Sequence, residues 1–241
     1  MRYHRGKSNI ASSIIPFMHS YIILNNVDTY IEPFVGGANI IDKVQCSKKF
    51  GYDNNKYLIA LFKHLQNGGE LPESISREQY TDARVHYNAK DKYYPDWYFG
   101  AIGFLSCTCV KLFDKCYTDT ESSHYIEERQ NILDQMKYLS DVTFDICDYR
   151  EIEPHKALIY CDPPYAGIKG HSKVTKDFNH KEFWDKMREW SKDNIVIISE
   201  ESAPDDFDVI WEQDEDKKST EKLFIHNSLN INTEKGSEYD F

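Results

Sequence analysis

The sequence has no run of about 18 uncharged apolar residues, so no segment is expected to span a membrane. Its opening stretch, MRYHRGKSNIASSII, lacks the apolar core of a secretion signal, so a cytoplasmic location is expected. Cations are scarce: 29 Lys and Arg stand against 40 Asp and Glu, a net charge of −11. That argues against a mainly electrostatic, non-specific mode of nucleic-acid binding and leaves room for a local basic groove. No C-x-x-C pair occurs, and the six cysteines (46, 107, 109, 116, 147 and 161) read as reduced thiols. Cys107, Cys109 and Cys116 could supply three zinc ligands, but no His lies near them at ligand spacing, so no metal is expected. The G-x-G-x-x-G dinucleotide fingerprint is absent too, as are internal repeats and low-complexity segments.

What remains is ample material for a folded core: 241 residues, 40% of them hydrophobic. Apolar spacing predicts a helix over 8–23, capped by Ser8 or Asn9. TYIEPFVGG (29–37) reads as a strand meeting a glycine turn, ANIIDKV (38–44) as a helix, KKFGYDN (48–54) as a strand and KYLIALFKHL (56–65) as a helix stopped by Gly68 and Gly69. This alternation predicts a parallel α/β sheet. It lapses over 70–140, which reads as largely helical. Strands resume at VTFDICD (142–148), KALIYCD (156–162), NIVIISE (194–200), FDVIWE (207–212) and EKLFIH (221–226), with a helix at 180–192. The short link between the last two strands predicts an antiparallel pair there.

Three strand ends carry the candidate chemistry. EPFVGG (32–37) closes the first strand, where open α/β sheets bind ligands. Its Glu32 stands where a pyrophosphate would otherwise go, so the turn suits a cationic or hydrogen-bond-donating ligand; the plainer alternative is an ordinary strand-to-helix turn. Asp53 closes the second strand, in the place where such folds bind ribose hydroxyls, or else it caps the next helix. The third end is LIYCDPPYAG (158–167). Proline cannot continue a buried strand, and it presets the direction of its own carbonyl. The Asp162 carboxylate and the Pro163 carbonyl then form two rigid acceptors, matching the two donors of an exocyclic amino group, and Tyr165 offers a face for stacking a planar base. The alternative is an Asx-Pro turn with a surface tyrosine.

These motifs, in this order, resemble the Dam-type adenine-N6 DNA methyltransferases of the D12 class and α group, phage-like members in particular. DPPY (162–165) matches the catalytic motif, EPFVGG (32–37) the first cofactor motif and YDNN (52–55) the acid at the end of the second strand. RYHRGK (2–7) is similar to the N-terminal cofactor segment, with Arg5-Gly6 where the family often has two glycines. The resemblance implies a Rossmann-like methyltransferase sheet with helices on both faces. The catalytic domain would comprise 1–67 and 141–241, and a mostly helical target-recognition insertion 68–140. It implies S-adenosyl-L-methionine as cofactor, contacted by Tyr3, Lys7, Asp53 and Asp162, with Glu32, Phe34 and Gly36 lining the pocket. Catalysis would rest on Asp162, Pro163 and Tyr165 acting on a flipped-out adenine in double-stranded DNA, with GATC the family's suggestion for the target and a restriction-modification setting in view.

The insertion itself is not basic: residues 61–140 hold nine Lys and Arg against twelve acids. Arg84, Lys111 and Lys115 are the candidates for DNA contact, against the alternative of solvated surface charge. Rival readings are methylation of RNA or of cytosine N4, since the same tetrapeptide accepts any planar amine, and a DNA-binding relative without turnover. Composition leaves the oligomeric state open.

Overall fold

The computed structural model describes residues 7, 10–106, 112–113, 123–164, 178–215 and 219–229. Seven strands form one sheet: β1 (Thr29–Glu32), β2 (Lys48–Asp53), β3 (Val142–Ile146), β4 (Leu158–Cys161), β5 (Ile195–Glu200), β6 (Phe207–Glu215) and β7 (Ser219–His226). Their order is β3-β2-β1-β4-β5-β7-β6. The first five run parallel, and β7 is antiparallel to both β5 and β6. This is a Rossmann-like α/β sheet whose direction of travel reverses between β1 and β4. The antiparallel pair expected at the end of the chain is β6 with β7, bulged between Val209 and Trp211.

Helices cover both faces. On one lie α1 (Ala11–Leu24), α2 (Lys56–Gln66), α3 (Arg77–Ala89), α4 (Asp96–Leu105) and α5 (Ser123–Met136). Their apolar side chains join Tyr30, Phe144, Leu158, Tyr160, Ile197 and Leu223 in one core. On the other, α6 (His180–Trp190) sends Phe183, Met187 and Trp190 against Ile31, Ile159, Val196 and Ile198. The strand alternation sorts these residues by parity, since neighbours along a strand point to opposite faces. Among the described residues no helix is long and apolar enough to cross a membrane.

The helical stretch expected over 70–140 is present as α3, α4 and α5, entered by a capping box between Ser76 and Gln79. Among the described residues it has no separate core: Tyr80, Phe99, Ile102 and Ile132 belong to the same cluster as Leu58 and Phe62 of α2. Helices α2 and α4 meet almost backbone to backbone. A Cβ at Gly100 would lie 2.3 Å from the Tyr57 carbonyl oxygen, so only glycine fits there. Beside it the rings of His64 and Trp97 stack at 3.7 Å.

Two expectations are corrected. The helix predicted over 38–44 is a chain of turns. Ala38 is left-handed at φ 55°, and Lys43 N–H bonds to Ile40 rather than to residue 39. Meanwhile the Gln135 side-chain amide donates to the Gly37 and Ala38 carbonyls, the acceptors that a first helical turn would use. Burial of Ile40, Ile41 and Val44 holds these turns down. Second, α1 starts at Ala11 with Ile10 at its N-cap and no side-chain cap; Ser8 and Asn9 lie outside the described residues. Ile10 is itself core, so the turn before the helix is fixed by burial instead of by a polar cap. Of the two alternatives for Asp53, one is ruled out: it does not cap α2. Asn55 does, accepting the N–H groups of Tyr57 and Leu58.

Candidate active site

The carboxyl ends of β1 and β4 lie side by side at the reversal of strand order, where the sheet opens a crevice. Glu32 ends β1 and Asp162 directly follows β4. Lys7, 214 residues from its partner Glu221 in sequence, is brought to the same place. Its ammonium lies 3.3 Å from Asp162 Oδ1 and 3.1 Å from Glu221 Oε2, with only 5% of its side chain exposed. A lysine so enclosed depends on carboxylates to offset the loss of water.

Glu32 is buried, and its Oε1 accepts the Tyr30 hydroxyl at 2.8 Å. Burial pushes its carboxyl well above the usual carboxylate range, the nearby charges of Asp42 and Asp162 add to that, and the Tyr30 hydrogen bond works the other way. Glu32 is therefore a buried, hydrogen-bonded carboxyl and not an exposed one.

Beyond β1 the chain turns sharply. Val35 N–H donates to the Tyr52 carbonyl at 2.8 Å, and Gly36, at φ 47°, turns its own N–H to Asp53 Oδ2 at 3.1 Å. The left-handed backbone explains the glycine at 36. Asp53 Oδ1 takes the Asn55 N–H at 2.8 Å. Burial raises the Asp53 carboxyl, and the two N–H donors oppose the rise. Phe34 turns to the second face, with ring centroids 5.3 Å from Tyr149 and 6.0 Å from Phe178 and Phe183. An aromatic wall on one side of the turn and a carboxylate bound to its N–H on the other fix the loop.

The structure thus brings together Lys7, Glu32, Phe34, Gly36, Asp53, Asp162 and Pro163 at the ends of adjacent strands. Tyr3, Tyr165, Lys111 and Lys115 lie outside the described residues, as do Cys107, Cys109 and Cys116. Arg84 stands on α3, partly exposed. Cys161 adjoins Asp162 in sequence, but it faces α6, with Sγ 3.5 Å from Met187 Sδ. Burial raises its thiol pKa, which disfavours the thiolate.

Sequence reasoning missed three residues. Asp148 follows β3, accepts the Arg150 backbone N–H at 3.0 Å and pairs with its guanidinium, which holds its carboxyl below the ordinary range. VTFDICD ends in an acid just as KKFGYD does, so the same signal was available. Glu221 shares a strand face with the buried Leu223 and Ile225, and a charge on a core face is itself a flag. Gln135 is a polar residue on the buried stripe of α5, between Ile132 and Leu139.

The donor set fits S-adenosyl-L-methionine. The acceptors Asp53 and Asp162 at the strand ends suit a sulfonium ligand carrying an amino group and ribose hydroxyls, whereas Glu32, expected to face the ligand, is buried with its carboxyl raised. Among characterised proteins, the Type II methyltransferase M.MjaIII of Methanocaldococcus jannaschii is 25% identical over 215 residues, covering 74% of each chain. Among solved structures, the rRNA methyltransferase AviRa from Streptomyces viridochromogenes superposes with a TM-score of 0.43 at 8% identity, over 95% of this chain and 87% of that one. The model of the D12 class N6 adenine-specific DNA methyltransferases matches residues 3–224, nearly the whole chain, and to that family this protein belongs.

Proposed function

We propose that the protein methylates N6 of an adenine flipped out of duplex DNA, with Asp162 as the acceptor of the reacting amino group. The observation that carries this reading is the placement of Asp162: it leaves a buried strand at the switch point, 24% exposed, with Lys7 against one of its oxygens. S-adenosyl-L-methionine, when bound, supplies an electrophilic methyl group. Asp53, the Gly36 turn and Phe34 hold that cofactor, Lys7 and Glu32 support it from within, and Tyr3 is a further contact. The Asp162 carboxylate and the Pro163 carbonyl accept the two N6 hydrogens. This fixes the amine in position and favours a more nucleophilic nitrogen, while Tyr165 stacks on the ring. The acceleration comes from positioning and preorganised acceptors. No covalent enzyme intermediate is needed, so the cysteines have no part in the chemistry.

Residues 68–140 form the target-recognition segment in this reading, with Arg84, Lys111 and Lys115 as DNA contacts and GATC as the first target to test. The enzyme works in the cytoplasm of a bacterium or a phage-infected host, alone or paired with a restriction partner. The test is methylation of duplex DNA, followed by mass spectrometry of the nucleosides. N6-methyladenine is expected, absent with Asp162→Ala. A product of N4-methylcytosine, or methylation of RNA alone, overturns the reading.

A further inference from the structure

We infer that Lys90 and Lys92, at the corner between α3 and α4, contact the phosphate backbone of the duplex beside the target base. The inference rests on the reading of the substrate as duplex DNA. The corner stands at the end of the sheet where the crevice opens. Asp96, the first residue of α4, takes the Lys56 ammonium at 2.9 and 3.1 Å, and Lys56 begins α2 shortly after Asp53. Residues 90–95 lead directly into that contact. A base drawn from a duplex into the crevice leaves the flanking phosphates against this end of the molecule.

The excess of acids in this part of the chain disfavours phosphate, but the count hides how the charges are engaged. Each acid of the corner is turned to a partner within the protein. Asp82 Oδ2 accepts the Tyr94 hydroxyl at 2.6 Å, and its Oδ1 lies 3.8 Å from His86 Nε2. Asp91 Oδ2 is 2.7 Å from His86 Nδ1, and its Oδ1 takes the Tyr93 N–H at 3.0 Å. Both oxygens of Asp96 meet Lys56. The cations are left outward. The side chains of Lys90 and Lys92 are exposed and have no hydrogen-bond or ion-pair partner among the described residues. Lys63 of α2 and Lys137 beyond α5 are instead paired, at 2.8 Å with Asp145 and at 2.5 Å with Asp134. The corner is also braced. The Tyr93 ring stacks on His86 at 4.1 Å and Tyr94 on Tyr98 at 4.5 Å, while Lys90 closes α3 in the left-handed conformation at φ 54°. Cations carried on a braced turn lose less freedom on meeting a ligand. A lysine ammonium binds phosphate as a point charge and reads no base, so these two position the duplex and do not select the target.

The test is the salt dependence of duplex-DNA binding by the full chain. Lys90→Gln with Lys92→Gln keeps polar side chains and removes both charges. The slope of log affinity against log salt should become shallower by about 1.8, at about 0.9 per phosphate contact. Between about 50 and 200 mM salt, the wild type should then lose about tenfold more affinity than the variant. Lys90→Arg with Lys92→Arg should keep the wild-type slope. Lys48→Gln with Lys137→Gln, an equal loss of charge near the opposite ends of β2 and β3, should keep it too. Binding of S-adenosyl-L-methionine without DNA, and the melting temperature, should be unchanged in the Lys90 and Lys92 variants, because both side chains are exposed. A wild-type slope in the Lys90 and Lys92 glutamine variant overturns the inference, as does an equal change in the Lys48 and Lys137 variant, which would mark a general effect of net charge. If the wild-type protein binds no duplex DNA at any salt, the reading of the substrate fails and the inference with it. If it binds duplex DNA and the slope does not respond to Lys90 and Lys92, the inference alone fails.

Discussion

The Asp53 carboxylate accepts the backbone N–H of Gly36 at 3.1 Å, so a single acid at the end of β2 fastens the turn that follows β1. Its other oxygen takes the Asn55 N–H, which ties the same acid to the start of α2. Each carboxylate oxygen keeps a second lone-pair direction for a ligand hydroxyl. Asp53→Ala is expected to weaken S-adenosyl-L-methionine binding about 10- to 100-fold, through lost acceptance of the ligand and a loosened turn. Isothermal calorimetry without DNA measures this. Unchanged affinity would take Asp53 out of the cofactor site.

Gln135 reaches that turn from the opposite side. Its Nε2 lies 3.0 Å from the Gly37 carbonyl, 2.9 Å from that of Ala38 and 3.1 Å from Asp42 Oδ2. Gln135 belongs to α5, so the helical segment between α2 and β3 directly braces the turn after β1. Gln135→Ala should reduce cofactor affinity by a smaller factor than Asp53→Ala, roughly 3- to 10-fold, the scale of one neutral hydrogen-bond group lost in burial. Gln135→Glu should be worse, because it places a carboxylate against two carbonyls and Asp42. Equal affinities for the two variants would show that the amide contributes only bulk.

Glu32 gives a pH dependence with a definite sign. Burial first, then the charges of Asp42 and Asp162, raise its carboxyl well above the ordinary range in the folded state. A raised folded pKa means that the native state holds the proton more tightly than the unfolded chain does. The stabilisation is complete below the unfolded value, about 4.3, and is lost as pH rises through the folded one. Glu32→Gln keeps an acceptor for the Tyr30 hydroxyl and cannot ionise. Its melting temperature, compared with that of the wild type, should therefore improve steadily as pH is raised from mildly acidic to alkaline. A difference that stays constant with pH would place the Glu32 titration elsewhere.

Gly100→Val tests the contact between α2 and α4. Any β-carbon at Gly100 would stand 2.3 Å from the Tyr57 carbonyl oxygen, and a backbone atom cannot swing aside as a side chain can. Separating the helices also disturbs the stacked His64 and Trp97. A loss of about 1–3 kcal/mol is expected, the usual cost of overpacking, and denaturant unfolding measures it. Wild-type stability would mean that the helices part at no cost.

The sequence by itself determined the strand ends and their chemistry. Hydrophobic runs that stop at Glu32, Asp53 and Asp162 are local events, because glycine, proline and an acid terminate a strand through their own backbone and solvation properties. The parallel sheet, the helices of 70–140 and the acids at the strand ends were legible for that reason. Tertiary structure alone decided the rest. That Lys7 meets Glu221 across almost the whole chain depends on strand order and on the antiparallel placement of β7, which no local window encodes. The failed helix at 38–44 has the same origin: its pattern is helical, but Gln135 arrives from α5 and takes its first carbonyls. Local propensity is worth only tenths of a kcal/mol per residue, and buried hydrogen bonds supplied from elsewhere in the fold outweigh it.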